Sequence, residues 1–120
     1  LGAQLSANAT SWSVMSDRDA KENFAPVDTG AVLDRLAGLP LTEWNYKADP
    51  EQRRYIGPMA QDFHAAFGLG DDDRRINTMD TDGVTLAAIQ GLYRQVQAEK
   101  ARGDALERRL AELEKRLQAP

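Results

Sequence analysis

The sequence predicts an α+β fold: a small mixed domain of short helices and a β-hairpin, followed by a long C-terminal helix that forms a parallel coiled coil. Three observations carry that expectation. Apolar residues recur at alternating spacings of three and four through the last third of the chain, which places them along one seam of a supercoiled helix. Two runs rich in aromatic and β-branched residues flank a turn-forming stretch, the pattern of a hairpin. Two short amphipathic segments each end in glycine, as short helices do.

Taken in order, residues 1–13 are mostly Gly, Ala, Ser, Asn and Thr and read as a linker or the end of a preceding domain. Asp28 or Thr29 can cap a helix in which Val32, Leu33 and Leu36 share one face, with Gly38 and Pro40 stopping it. Leu41 to Tyr46 and Arg53 to Ile56 are the expected strands, joined by the turn residues Lys47 to Gln52. Met59 to Phe67 is helical, with Met59, Phe63 and Phe67 four apart, and Gly68 and Gly70 end it. Asp71 to Arg75 is a charged loop, Ile76 to Met79 a further short strand, and Asp80 to Gly83 a turn into the final helix.

In that final helix Ile89, Leu92, Val96, Glu99, Gly103, Leu106, Leu110, Leu113 and Leu117 fall on the a and d positions of a heptad. Ile89, Leu92, Val96, Leu106, Leu110, Leu113 and Leu117 are the expected oligomerisation residues. Arg102 and Arg109 then occupy g positions and Glu107 and Glu114 the e positions five residues on, which meet across neighbouring chains when the helices run parallel. The competing reading is one amphipathic helix lying on its own domain. After Ala101, however, little chain remains to cover the seam. Leucine at both a and d leaves dimer and trimer open. Glu99 and Gly103 interrupt the seam and mark a weak layer.

At 120 residues the chain holds one domain and an appendage. A hydrophobic fraction of 42% beside 28% charge is that of a folding, soluble-type sequence. The net charge of -4 opposes binding to a phosphate backbone, so no nucleic-acid partner is expected. With no cysteine, disulfides, thiol catalysis and thiolate metal sites are excluded. No stretch is long and apolar enough to span a membrane, and the N-terminus lacks the basic start and apolar run of a signal peptide. Leu1 is not a natural start residue, so upstream sequence is expected.

The chemistry-bearing cluster is Ser16-Asp-Arg-Asp-Ala-Lys-Glu-Asn23. A serine hydroxyl attacks a carbonyl when a base takes its proton, and a lysine serves once burial or nearby cations lower its basicity. Ser16 and Lys21 are five apart, a spacing that by itself is far more often that of a solvated charged loop than of a reacting pair. His64 is the lone histidine and reads as a structural residue rather than a metal ligand. Asp71-Asp-Asp73 lacks the ligand spacing of a calcium loop and reads as a solvated turn. No cofactor or metal site is expected.

Several separated motifs carry a resemblance. Trp12 to Asn23, the helix ending Leu36-Ala-Gly-Leu39, Trp44-Asn-Tyr46, Ile56-Gly-Pro-Met-Ala-Gln61 and Leu86-Ala-Ala-Ile-Gln-Gly-Leu92 occur in that order. Together they resemble the intramolecular chaperone auto-processing domain found at the C-terminus of phage endosialidase tailspikes, other tail fibres and some bacterial surface proteins. Met59-Ala-Gln-Asp-Phe63 departs mildly from the family, where a smaller aliphatic and Gln-Glu-Val are commoner. The resemblance implies a homotrimer that assists folding of an upstream β-rich fibre domain and then cuts itself off as a single-turnover serine endopeptidase. Carried over by position, Ser16 is the nucleophile and Lys21 the general base. The cleavage site is Ser16 and Asp17, with the bond between them favoured over the one after Met15. The implied organisation is 1–15 as fibre end or linker, 16–83 as chaperone and processing core, and 84–120 as trimerisation helix. The parent protein would sit in a virion tail fibre or on a bacterial surface, and the released fragment would be soluble. Alternatives from other classes are a non-cleaving trimerisation or capping module and a general coiled-coil adaptor.

Overall fold

A computed structural model describes residues 1–120. Its elements run β1 (Ala3–Gln4), β2 (Ser13–Val14), a single 3-10 turn (Arg18–Ala20), α1 (Thr29–Ala37), β3 (Thr42–Trp44), β4 (Tyr55–Gly57), α2 (Ala60–Phe67) and α3 (Thr78–Gln118). The expected mixed α and β architecture is observed, with two small antiparallel hairpins, β1–β2 and β3–β4.

Helix α1 starts where the sequence predicts. The Asp28 carboxylate accepts from the Ala31 N–H at 3.1 Å, satisfying one of the donors a helix N-terminus leaves unpaired. Helix α2 ends at Gly68, whose φ of +65° is the left-handed conformation that glycine adopts without a Cβ penalty. His64 Nδ1 lies 2.9 Å from the Leu69 carbonyl, so that ring nitrogen donates and ties down the chain leaving the helix. The lone histidine is thus a structural residue.

The β3–β4 hairpin pairs Thr42 with Gly57 and Trp44 with Tyr55, a narrower ladder than the sequence predicts. Trp44 stacks on Tyr55 with ring centroids 5.2 Å apart and meets Tyr46 edge-on at 4.9 Å. Its indole N–H donates to the Gly57 carbonyl at 3.3 Å. In the connecting turn Asp49 accepts from the Arg53 side chain at 3.0 Å. That side-chain bond, helped by backbone N–H groups of Arg53 and Glu51, lowers the carboxyl below the usual aspartate range.

The interior is small. Leu39, Phe63 and Val84 form its centre, with Val32, Leu36, Ala66, Phe67 and Ile76 packed around them. Phe63 and Phe67 rings lie 5.0 Å apart. Helices α1, α2 and the base of α3 therefore close one core, and α3 projects from it. A helix of 41 residues is about 61 Å long, which accounts for most of the 77 Å length of the molecule.

Two segments differ from the sequence expectation, and a third gains detail. In the N-terminal segment, expected to be a linker or the end of a preceding domain, Ala3–Gln4 pairs with Ser13–Val14 and the Ser13 hydroxyl donates to the Gln4 carbonyl at 3.2 Å. Ile76 to Met79 adds no strand, and Asp80 to Gly83 is no turn: α3 already begins at Thr78, six residues before the expected start at 84. The cause is local side-chain bonding. Asn77 Oδ1 accepts from the Met79 N–H at 2.8 Å, and the Thr81 and Thr85 hydroxyls donate back to the carbonyls of Thr78 and Thr81. Polar residues that read as turn formers are satisfied inside the helix instead.

Candidate functional site: a serine and lysine joined across one turn

Ser16 follows β2 by one residue, and the chain then folds into the 3-10 turn Arg18–Ala20. Asp17 opens that turn with φ -63° and ψ 134°, its carboxylate accepting from the Asp19 N–H at 3.0 Å. The Asp17 carbonyl accepts from Ala20 N–H at 3.1 Å and the Arg18 carbonyl from Lys21 N–H at 3.2 Å. The turn reverses the chain so that Lys21 comes back over Ser16. Lys21 Nζ donates to Ser16 Oγ at 2.6 Å.

This is the contact that a lysine-assisted serine requires: a hydroxyl within reach of an amine. Both side chains are exposed. On the Ser16 side of the pair lies an open groove of about 480 Å³, lined by Ala3, Gln4, Val14, Met15 and Ser16 among others. Met15, Phe24 and Val27, which bracket the pair in sequence, are also exposed. Asn23, two residues beyond Lys21, takes a positive φ of 57°, which asparagine tolerates better than most residues.

The residues expected to oligomerise all lie on α3. Ile89, Leu92, Val96, Leu106, Leu110, Leu113 and Leu117 are each at least half exposed. In contrast Val84, Ala88 and Gly91 of the same helix are buried, against α1. At 100° per residue the buried stripe and the Ile89–Leu92–Val96 stripe point about 100° apart around the axis. Packing against α1 therefore leaves the heptad seam bare.

Gly91 makes the crossing possible. A Cβ there would run into the Thr29 carbonyl oxygen and come within 2.9 Å of its carbon and 3.2 Å of Leu33 Cβ. Thr29 is buried, and its hydroxyl accepts from Arg94 Nη1 at 2.9 Å. Sequence reasoning missed this crossing. Its one signal was a glycine inside an otherwise strong helical pattern, a position that usually has a packing reason.

Asp71-Asp-Asp73 forms a self-contained acidic turn. Asp72 Oδ1 accepts from the Arg74 and Arg75 N–H groups at 2.8 and 3.0 Å, and Arg75 Nη1 pairs with Asp72 Oδ2 at 3.1 Å. The Arg74 N–H bond is the main reason that the Asp72 carboxyl is held below its ordinary range. No helix of the chain is long and apolar enough to cross a membrane.

A serine and lysine in contact, ahead of a small helical core, is the arrangement of a candidate hydroxyl nucleophile with its base. Residues 16–68 match the model of a peptidase family described as chaperone of endosialidase. The match starts at Ser16 and runs to Gly68, so it takes in the Ser16–Lys21 turn, α1, β3–β4 and α2. It bears out the resemblance carried by the sequence motifs and supports a chaperone role for this segment. No curated protein matches the chain.

Proposed function

We propose that the chain is an intramolecular chaperone that assembles as a trimer, assists folding of an upstream β-rich fibre domain, and releases itself by cutting at Ser16. The observation that carries this reading is the 2.6 Å contact between Lys21 Nζ and Ser16 Oγ at the first residues of the chaperone-family match. In the reaction the Ser16 hydroxyl adds to a peptide carbonyl carbon while its proton passes to the Lys21 amine. The C–N bond breaks, the departing amine takes that proton, and water hydrolyses the resulting ester. The net change is one water added across one peptide bond. Cleavage of Ser16–Asp17 leaves Asp17 at the amino terminus of the released piece. Attack on the Met15 carbonyl, which closes a five-membered ring, leaves Ser16 there, and the mass of the fragment tells the two apart.

Surface area supports the assembly. A compact monomer of this mass exposes about 6,500 Å², whereas the single chain exposes 10576 Å². The excess is more than a stable interface needs per partner, and the bare residues of the heptad seam contribute to it. Arg102 and Arg109 stand where Glu107 and Glu114 of a parallel neighbour would meet them. Assembly also bears on the chemistry. An ammonium gives up its proton near neutral pH only when its charge is desolvated or crowded. Ser16 and Lys21 are exposed in the single chain, so burial has to come with the neighbouring copies, and cutting waits for three chains to be assembled.

The benefit to an upstream fibre is kinetic. Long-range β-pairing among three chains is slow because loop closure precedes any gain in contacts. Holding three ends together raises their local concentration and fixes their register. Removing the clamp afterwards leaves the fibre without an easy route to unfold and reassemble. This role places the parent protein in a virion tail fibre or on a bacterial surface, and residues 84–120 as the clamp.

The test is a denaturing gel of the full natural chain. Wild type yields two pieces, and Ser16→Ala and Lys21→Ala each leave it whole. Normal cutting in Ser16→Ala would refute the mechanism. The exposure of Lys21 favours one second reading, a trimerisation module whose pair stays idle. In that case wild type remains uncut while still assembling.

A further inference from the structure

We infer that Asp17 is a positioning residue for the self-cleavage: its carboxylate caps the 3-10 turn that carries Lys21 back onto Ser16. The inference rests on the Ser16–Lys21 reading above and adds a reason why that pair meets.

A five-residue separation does not by itself bring two side chains together. Extended backbone spans up to about 3.3 to 3.6 Å per residue, so a fully extended Ser16–Lys21 segment would hold the two groups well apart. In the structure one turn of 3-10 helix closes that distance. The turn is three residues long, and its own ladder is the pair of backbone bonds from Ala20 to Asp17 and from Lys21 to Arg18. So short a helical turn is unfavourable alone, since nucleation fixes several dihedrals for very few hydrogen bonds. The side-chain bond from Asp17 Oδ1 to the Asp19 N–H, 3.0 Å long, satisfies a further donor at the open end.

No packing substitutes for that cap. The turn buries no residue, and Asp17 to Lys21 are all exposed. The local hydrogen bonds are what hold it, and only one of them comes from a side chain other than the reacting pair. Beyond Lys21 the chain leaves at φ -117° and ψ 154°, so the turn stops there and Lys21 is its last fixed point.

Two chemical roles for a carboxylate at this position make opposite predictions. As a cap, Asp17 needs only an oxygen acceptor on a short side chain, which asparagine supplies equally well. As an acid, base or charge partner of Lys21, it needs the carboxylate itself, and asparagine would fail.

The experiment compares the rate of self-cleavage in the full natural chain for wild type, Asp17→Ala, Asp17→Asn and the Ser16→Ala control, with oligomeric mass and melting temperature measured for each. Asp17→Ala is expected to cut about fivefold to tenfold more slowly, the loss of turn population that follows removal of a capping side chain. Asp17→Asn should restore the rate to within about twofold of wild type, the small difference allowed between equivalent caps. Measured in the Ser16→Ala background so that no cutting intervenes, mass and melting temperature should be unchanged by Asp17→Ala and Asp17→Asn, because the turn buries nothing. An Asp17→Ala rate equal to wild type, or an Asp17→Asn rate as low as that of alanine, overturns the positioning role while leaving the Ser16–Lys21 pair standing. Cutting in Ser16→Ala would instead remove the underlying reading, so the two failures are distinguishable.

Discussion

Helix α3 has two regions that solve different problems with the same secondary structure. At its base Val84, Ala88 and Gly91 are buried against α1 and the small core, while Ile89 and Leu92 a quarter-turn away are bare. Beyond Val96 the helix keeps the bare seam, and no second buried stripe accompanies it. The base has one face packed on its own chain and one left bare. The distal part has only the bare face, which is why a single chain leaves so much apolar surface in water.

That contrast can be broken from either side. The largest effect is expected from Leu110→Asp combined with Leu113→Asp, which places charge in the seam without touching the core. Each buried leucine contributes about 1.5 to 3 kcal/mol, so the association constant should fall by more than about a thousandfold, read by sedimentation. The globular part should keep its circular-dichroism melt. Gly91→Ala attacks the base instead. Its Cβ meets the Thr29 backbone, and overpacking of this kind costs about 1 to 3 kcal/mol, visible in chemical denaturation as a lower midpoint. Assembly through the distal seam should survive it.

Thr29→Val removes the acceptor of the 2.9 Å Arg94 bond and should cost about 1 kcal/mol in the same denaturation assay. The smallest effect sharpens the register. Arg109→Glu sets like charges across a parallel interface and should weaken assembly by about 0.5 kcal/mol at low salt, less in high salt. Adding Glu114→Arg should restore it, since the two positions meet only in a parallel, in-register coil. Failure of that rescue would point to another orientation.

What was legible in the sequence follows the same division. The distal helix was readable because a heptad seam is a one-dimensional signal, and so were α1, α2 and the β3–β4 hairpin, whose ends are set by Asp28, Gly38, Gly68 and the turn before Arg53. The start of α3 was not, because Thr81, Asp80 and Asp82 favour turns or helices according to which local hydrogen bonds win. The crossing at Gly91 was hidden because it depends on residues 29 and 91 meeting, a long-range fact with no local pattern. Of the candidate site, residue types and spacing were readable. The turn capped by Asp17 was not, although an aspartate followed two residues later by a free N–H is the seed of such a turn.

The most direct measurement is the mass of the assembled chain in solution, made with Ser16→Ala so that no cutting intervenes. Sedimentation equilibrium should give three copies of 13.3 kDa, holding down to the concentration at which the Leu110→Asp, Leu113→Asp variant is already single. A mass of one chain at every concentration would contradict the assignment of the bare seam to neighbouring copies, and with it the dependence of cutting on assembly.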